Sequence, residues 1–281
     1  MLHPGPTELD VPAHVSQPAP PDAADGAEVG RQAVPFVREG LASRSLYFSI
    51  QDVQSRMQMQ HPDALDLRYT RTMMGFLLFA PAPADILMVG LGGGSLAKFC
   101  YRHLPRTRVE VVEINPRVIA LRDDFRIPAD GERFHVIEAD AAAYLRDATR
   151  QYDIVMLDGF GPNGLPRSLG TQRFYDDCLD ALRPGGVLVS NFHSAAADFA
   201  ACVGRLERSF GAAALVVTDR EAGNSVVFAR KGGVLAAPRA ALPARPRGLD
   251  AGAWAQLSGA FERIRSAFAA ARSDAAPDDS R

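Results

Sequence analysis

Three carboxylates follow a cluster of glycines, each at the end of an apolar run. Ile86-Leu87-Met88-Val89 stops at Gly90, and Gly92, Gly93 and Gly94 come next, before Ser95 opens a helical pattern. A strand, a glycine turn and a helix start in that order can cradle a polar ligand. Glycine turns with positive φ and has no Cβ to block an approaching ligand, and the first N–H groups of a helix have no partner within it. The loop alone is also what an ordinary turn looks like. Glu113 makes the difference, because it ends Val109–Val112 about 20 residues after the loop, where an acid can accept both hydroxyls of an adenosine ribose.

Asp140 closes Val136-Ile137-Glu138-Ala139. Its carboxylate could accept an adenine amino group while the N–H of Ala141 meets the ring. As an Asp ahead of a helix it is equally a natural N-cap, and both roles can coexist. Asp158 closes the wholly apolar Ile154–Leu157. A charge there must face a cleft or be paired, and it could take the proton of an amine attacking a sulfonium carbon. The loop from Gly159 to Leu169, with three glycines and two prolines, could cover that cleft as a lid.

The elements that must position these acids alternate. Strands are predicted over 86–90, 109–114, 133–138, 153–158, 186–191, 213–218 and 224–229, with helices over 95–103, 116–124, 141–148, 171–182 and 196–209. The last two strands are separated only by residues 219–223 and form a hairpin. The expected fold is α/β, a seven-stranded doubly wound sheet that is parallel except for one strand. The fourth strand should flank the first, and ligands of such sheets sit at the carboxyl ends of the strands.

Around this domain, assigned to 64–231, residues 1–40 are rich in Pro, Ala, Gly and Asp and are expected to be a disordered tail. Residues 41–63 form a short N-terminal β-hairpin, with Gln51-Asp52 as its turn, and 64–79 an amphipathic helix carrying Tyr69, whose ring could equally serve core packing. Residues 232–250 read as a linker. Over 251–272, Trp254, Leu257, Phe261, Ile264 and Phe268 are spaced 3, 4, 3, 4 as one apolar helix stripe. The stripe should dock on the protein's own domain, a dimer contact being the alternative. Residues 273–281 are a polar tail.

Composition sets the class. The 281 residues are 47% hydrophobic and 23% charged with a net charge of -2, a globular balance that gives no electrostatic case for nucleic acid or an anionic membrane. The three cysteines, Cys100, Cys178 and Cys202, have no metal-ligand spacing to a histidine and read as buried thiols in a reducing compartment. No secretory signal and no span-length apolar run is visible, so a cytoplasmic protein is expected, with no metal.

These residues resemble the spermidine synthase (polyamine aminopropyltransferase) family, within the wider AdoMet-dependent methyltransferase fold. The resemblance runs from about Leu46 to Arg230 and rests on Gly92-Gly93-Gly94, Val112-Glu113-Ile114-Asn115, Asp140, the Tyr152-Asp153…Asp158 pattern, Thr171…Phe174-Tyr175 and Pro184-Gly185-Gly186. Tyr69 stands where the family has a substrate-binding tyrosine, and Gln54-Ser55 resembles the end of its N-terminal hairpin region. The resemblance implies transfer of an aminopropyl group from decarboxylated AdoMet to a small-molecule amine. Glu113 would bind the ribose, Asp140 the adenine, and Asp158 would accept the proton. The departures are Ser95 and Gly161, each standing where the family has an acid that holds a cationic amine, and Thr70 in place of His or Gln. Each lost charged hydrogen bond typically costs about 1.5–3 kcal/mol, so losing two should weaken diamine binding by roughly a hundredfold or more. A neutral Ser95 would also no longer repel the carboxylate of intact AdoMet. This keeps two alternatives open: an AdoMet-dependent methyltransferase with another acceptor, and a non-catalytic nucleoside-binding protein. A homodimer is an open possibility, since the family's N-terminal strand domain is cut short.

Overall fold

The computed structural model describes residues 33–49, 53–161, 164–236, 245 and 249–274. The expected turn at Gln51-Asp52, Pro162 of the lid loop, and most of the tails and linker lie outside these residues.

The central sheet has seven strands: β4 (Asp85–Val89), β5 (Arg108–Glu113), β6 (Phe134–Glu138), β7 (Tyr152–Leu157), β8 (Leu182–His193), β9 (Leu215–Asp219) and β10 (Asn224–Arg230). Their order is β6-β5-β4-β7-β8-β10-β9. Only β10 runs antiparallel to its neighbours β8 and β9, which is the one reversed strand expected from the terminal hairpin. The chain winds outward from β4 through β5 and β6, then returns to the other side at β7. The switch point where crevices open therefore lies between β4 and β7, and these two strands pair directly, Val89 beside Leu157.

Both faces of the sheet are covered, which explains why its strands are nearly continuous apolar runs. On one face, α4 (Ala141–Arg146), α5 (Gln172–Ala181) and α6 (Phe199–Phe210) pack over Leu87, Val155 and Leu188. On the other, α1 (Arg68–Met73), α2 (Ser95–His103) and α7 (Ala251–Asp274) pack over Ile86, Met88 and Met156. The stripe of α7 supplies Leu257, Phe261 and Ile264, all fully buried in this layer. The C-terminal helix therefore docks on its own domain. Cys100, Cys178 and Cys202 are buried free thiols in these two layers.

Three local expectations are corrected. The N-terminal hairpin is a three-stranded antiparallel sheet, β1 (Phe36–Glu39), β2 (Ser43–Tyr47) and β3 (Val53–Gln58). Its first strand falls inside the segment read as tail. Composition averaged over that segment hides Val34-Pro35-Phe36-Val37, where Phe36 stacks on Tyr47 at 5.3 Å and Val37 packs on the core. The helix expected over 64–79 starts at Arg68 and tightens into a 3-10 turn at Met74–Leu78. Gly75 sits in that turn because α7 and β10 press on it: a Cβ there would lie 2.2 Å from Ile264 Cδ1 and 3.0 Å from Phe228 Cζ. The helix expected over 116–124 is a single turn, α3 (Pro116–Ile119), capped by the Asn115 side chain accepting from the Arg117 N–H.

Candidate active site

Register lines up the strand ends. Val89 pairs with Val112 on one side and Leu157 on the other, and Glu113 pairs with Glu138. The residues that follow, Gly90 and Asp158, with Glu113 one pair along, thus form one row at the carboxyl edge. The row is tied by backbone bonds from the Gly90 N–H to the Val112 carbonyl and from the Asp158 N–H to the Val89 carbonyl, both 2.9 Å. Gly90 has φ +93°, and a Cβ on it would lie 2.5 Å from the Asp158 carbonyl oxygen. Glycine is required there so that the loop after β4 and the acid after β7 can touch.

Gly94, with φ +67°, caps α2, and Ser95 is that helix's first residue. Beneath the loop, the space a Gly93 Cβ would need is filled by Ser55 Oγ at 2.6 Å and Phe125 Cδ1 at 2.9 Å. Ser55 Oγ lies 3.4 Å from Ser95 Oγ. The structure brings buried Ser55 to the loop, while Gln54, the residue singled out from the sequence, is half-buried and falls at a register irregularity between β2 and β3. Lys98, one turn into α2, is almost fully buried and donates to the Phe125 carbonyl at 2.7 Å, with burial lowering its pKa to about 8.

Glu113 folds back onto the glycine loop. Its Oε2 accepts the Leu91 N–H at 2.9 Å and its Oε1 the Asn115 N–H at 2.8 Å. Burial raises its pKa, opposed by backbone donors at Leu91, Asn115, Ile114 and Gly92. Asp140 does cap α4, its Oδ1 accepting the N–H groups of Ala142 at 2.7 Å and Ala143 at 3.2 Å. Asp140 is exposed at the edge, and Ala141, the first residue of α4, is buried beside it.

Asp158 is the most constrained member of the row. Tyr69, from α1, donates its hydroxyl to Asp158 Oδ2 at 3.1 Å. Asn191, from β8, donates its amide to Asp158 Oδ1 at 2.9 Å. Burial pushes the Asp158 carboxyl up to about 6, and the hydrogen bonds from Asn191 and Tyr69 oppose that rise. Burial, with Asp158 beside it, raises the Tyr69 phenol far above its ordinary range, so it remains a donor. Thr70 turns its hydroxyl back to the Leu67 carbonyl at 2.6 Å. Phe160, two residues beyond Asp158, packs edge-on against His193 at 4.8 Å.

The row therefore unites Gly90, the glycine loop, Glu113, Tyr69 and Asp158, with Asp140 and Ala141 one strand further out. Asn191 and Asn224 escaped the sequence reading. A signal existed: an Asn at the end of Val187-Leu188-Val189-Ser190 is a polar residue in a buried run, which needs a partner. Among the described residues no cluster of His, Cys, Asp and Glu could hold a metal ion, and no helix is long and apolar enough to cross a membrane.

An open α/β sheet with a nucleotide-type loop at its switch point and acids at the next strand ends is the AdoMet-dependent methyltransferase architecture. Within it, a family model for the spermine/spermidine synthase domain matches residues 66–198. A polyamine aminopropyltransferase of Neisseria meningitidis serogroup A is 39% identical over 188 residues, covering 66% of this chain and 72% of the relative. The chain belongs to the spermidine synthase (polyamine aminopropyltransferase) family. A probable spermidine synthase from Corynebacterium glutamicum has the same fold at TM-score 0.60 and 20% identity, covering 70% of this chain and 76% of that one. A spermidine synthase in complex with the transition-state analogue AdoDATO matches at TM-score 0.51 and 21% identity, over 70% of this chain and 73% of that one.

Proposed function

We propose that this protein is an aminopropyltransferase that uses decarboxylated AdoMet as donor and a small amine as acceptor. The observation that carries the reading is the Asp158 carboxyl, held between Tyr69 and Asn191 against the glycine loop. A carboxyl with a pKa of about 6 is well matched to accept a proton near neutral pH. The relatives' name and the family membership support the same chemistry.

In this reading Gly90, Gly92, Gly93, Gly94 and Ser95 form the wall along the donor, and Glu113 accepts the ribose hydroxyls. Asp140 and the Ala141 N–H receive the adenine. The residues fit such a ligand: the start of α2 has no side-chain cap, the Glu113 carboxylate lies against the glycine loop, and the loop glycines present backbone alone. When bound, the donor supplies an activated propyl carbon on a sulfonium, a leaving group that becomes neutral methylthioadenosine. Tyr69 and Asp158 orient the acceptor nitrogen behind that carbon. The nitrogen lone pair forms the new C–N bond as the C–S pair returns to sulfur, and Asp158 takes the proton released from nitrogen. Holding both partners in line supplies most of the rate.

Methyl transfer from intact AdoMet is the second reading. It is favoured by neutral Ser95, whose hydroxyl meets Ser55 at the position where an acid would repel the methionine carboxylate. Calorimetry with AdoMet, decarboxylated AdoMet and methylthioadenosine, repeated with putrescine or spermidine and followed by turnover, separates the two. Preferred binding of decarboxylated AdoMet with amine turnover is the expected result. Equal binding of AdoMet without amine turnover removes the first reading, and no binding of any of the three removes both.

A further inference from the structure

Asp158 is gripped from two sides by neutral donors, and one of them is itself gripped. Tyr69 reaches Oδ2 from α1, and Asn191 reaches Oδ1 from β8. Behind Asn191, Asn224 on β10 donates its amide to the Asn191 side-chain oxygen at 3.1 Å. Asn191 is almost fully buried. The two asparagines are diagonal neighbours across the antiparallel β8–β10 pair, in which Asn191 is opposite Val226 and Asn224 is opposite His193.

The chain of bonds has a direction. An amide has one acceptor end and one donor end. Once Asn224 donates to the oxygen of Asn191, the NH2 of Asn191 faces Asp158. If the Asn191 amide were reversed, its oxygen would meet the carboxylate and its NH2 would meet the NH2 of Asn224, leaving two like contacts in a buried place. Asn224 therefore backs the orientation of Asn191 that the acceptor-only carboxylate demands.

We propose that Asn191, oriented by Asn224, is a positioning residue that keeps Asp158 ionised and its carboxylate plane fixed for proton acceptance. Each carboxylate oxygen has about two acceptor positions. One on Oδ1 is used by Asn191 and one on Oδ2 by Tyr69, which leaves one on each oxygen for a proton or a ligand. A neutral amide suits the purpose. It favours the charged form of the acid by a charge-assisted hydrogen bond and brings no cation that would repel an ammonium-bearing acceptor. The charged and titratable groups on the surrounding elements are Tyr69 on α1, Lys98 on α2, Glu113 on β5 and His193 on β8. Beyond β10, Asp219 and Glu221 pair with Arg68. Of these, Tyr69 alone contributes to the displaced titration of Asp158, alongside Asn191 and burial.

The inference rests on the proposed role of Asp158 as proton acceptor, and its test has a readout that needs no turnover. Infrared titration of the carboxylic-acid carbonyl band, taken as the difference from Asp158→Asn, reports the midpoint of Asp158 directly. In Asn191→Leu the acid loses a charge-assisted donor, and its proton affinity should rise roughly tenfold or more. In Asn224→Ala, where the amide is kept and only its orientation is freed, the rise should be smaller and of the same sign. Turnover, where an acceptor is found, should follow: the acid limb of the kcat profile moves to higher pH by the same amount. Above that limb kcat recovers, and methylthioadenosine affinity is unchanged throughout. An unchanged infrared midpoint in folded Asn191→Leu overturns the proposal, as does a kcat loss equal at every pH. Shifted midpoints without amine turnover would leave the Asn191 role standing and remove the proposed function.

Discussion

At the scale of single residues, the site depends on a carboxylate kept in a costly place. Burial pushes the Asp158 carboxyl up to about 6, above the ordinary carboxylate range near 4. Raising an acid's pKa on folding means that the protonated form is favoured by the fold. That contribution is fully present below about pH 4 and is lost as pH rises through about 6. Above pH 6 the ionised acid therefore weighs against the fold by up to about 3 kcal/mol. Asp158→Asn should melt higher than the parent at pH 8, with the gain vanishing below pH 4 in a thermal series, while turnover is abolished and methylthioadenosine binding is nearly kept. An equal loss of binding would make Asp158 structural. Glu113 behaves differently, because its donors are backbone N–H groups, which cannot turn round to accept as the Tyr69 hydroxyl beside Asp158 can. Glu113→Gln turns an NH2 toward one of those donors, costing about 1–3 kcal/mol. Stability and nucleoside affinity should fall together, as followed by denaturation and calorimetry.

At the scale of elements, the approach that bears on the site is between the loop after β4 and the strand end of β7. Gly90→Ala adds a methyl 2.5 Å from the Asp158 carbonyl oxygen at a positive φ. No flexible side chain can yield there, so the backbone of Asp158 must move. Nucleoside affinity should drop more than tenfold and turnover further still, since a displacement near 1 Å can cost about a hundredfold in rate. Retained affinity and kcat would show that the loop has slack. These elements were readable because each glycine and acid sits at the end of an apolar run of strand length, and parallel register converts equal run ends into one edge. The early end of the α1 helix was not readable: Gly75 tightens that turn for the sake of Ile264, almost two hundred residues away in the chain. The first strand, β1, was hidden for a related reason, because Phe36 finds its partner ring in Tyr47 rather than in its own neighbourhood.

At the scale of the whole molecule, α7 completes the layer that carries Tyr69. It packs on α1 and the 3-10 turn that follows, burying Leu257, Phe261 and Ile264. Arg263 on the same helix donates to Thr72 of α1 at 3.2 Å. Each of the three apolar side chains contributes about 1.5–3 kcal/mol by burial. Phe261→Ala should cost about 3–5 kcal/mol in urea denaturation. Because α1 loses part of its backing, turnover should fall as well, through a looser Tyr69–Asp158 contact. A loss of stability with unchanged kcat would mean that α1 holds its place without the helix.

What the amino-acid order determined by itself is the alternation of strands and helices, the glycine loop and the acids at three successive strand ends. These are local patterns: hydrophobic period, turn chemistry and run length are written within a dozen residues. The family follows from the same stretches. The tertiary structure decided what meets Asp158. Tyr69 precedes it by 89 positions and Asn191 follows by 33, and no local rule joins them. Ser55 reaches the loop, against Gly93 and Ser95, because of how β3 packs beneath it, and that packing is set by a layer far away in the chain. Side-chain partnerships across elements come from packing and strand order, so they become visible only once the sheet is assembled.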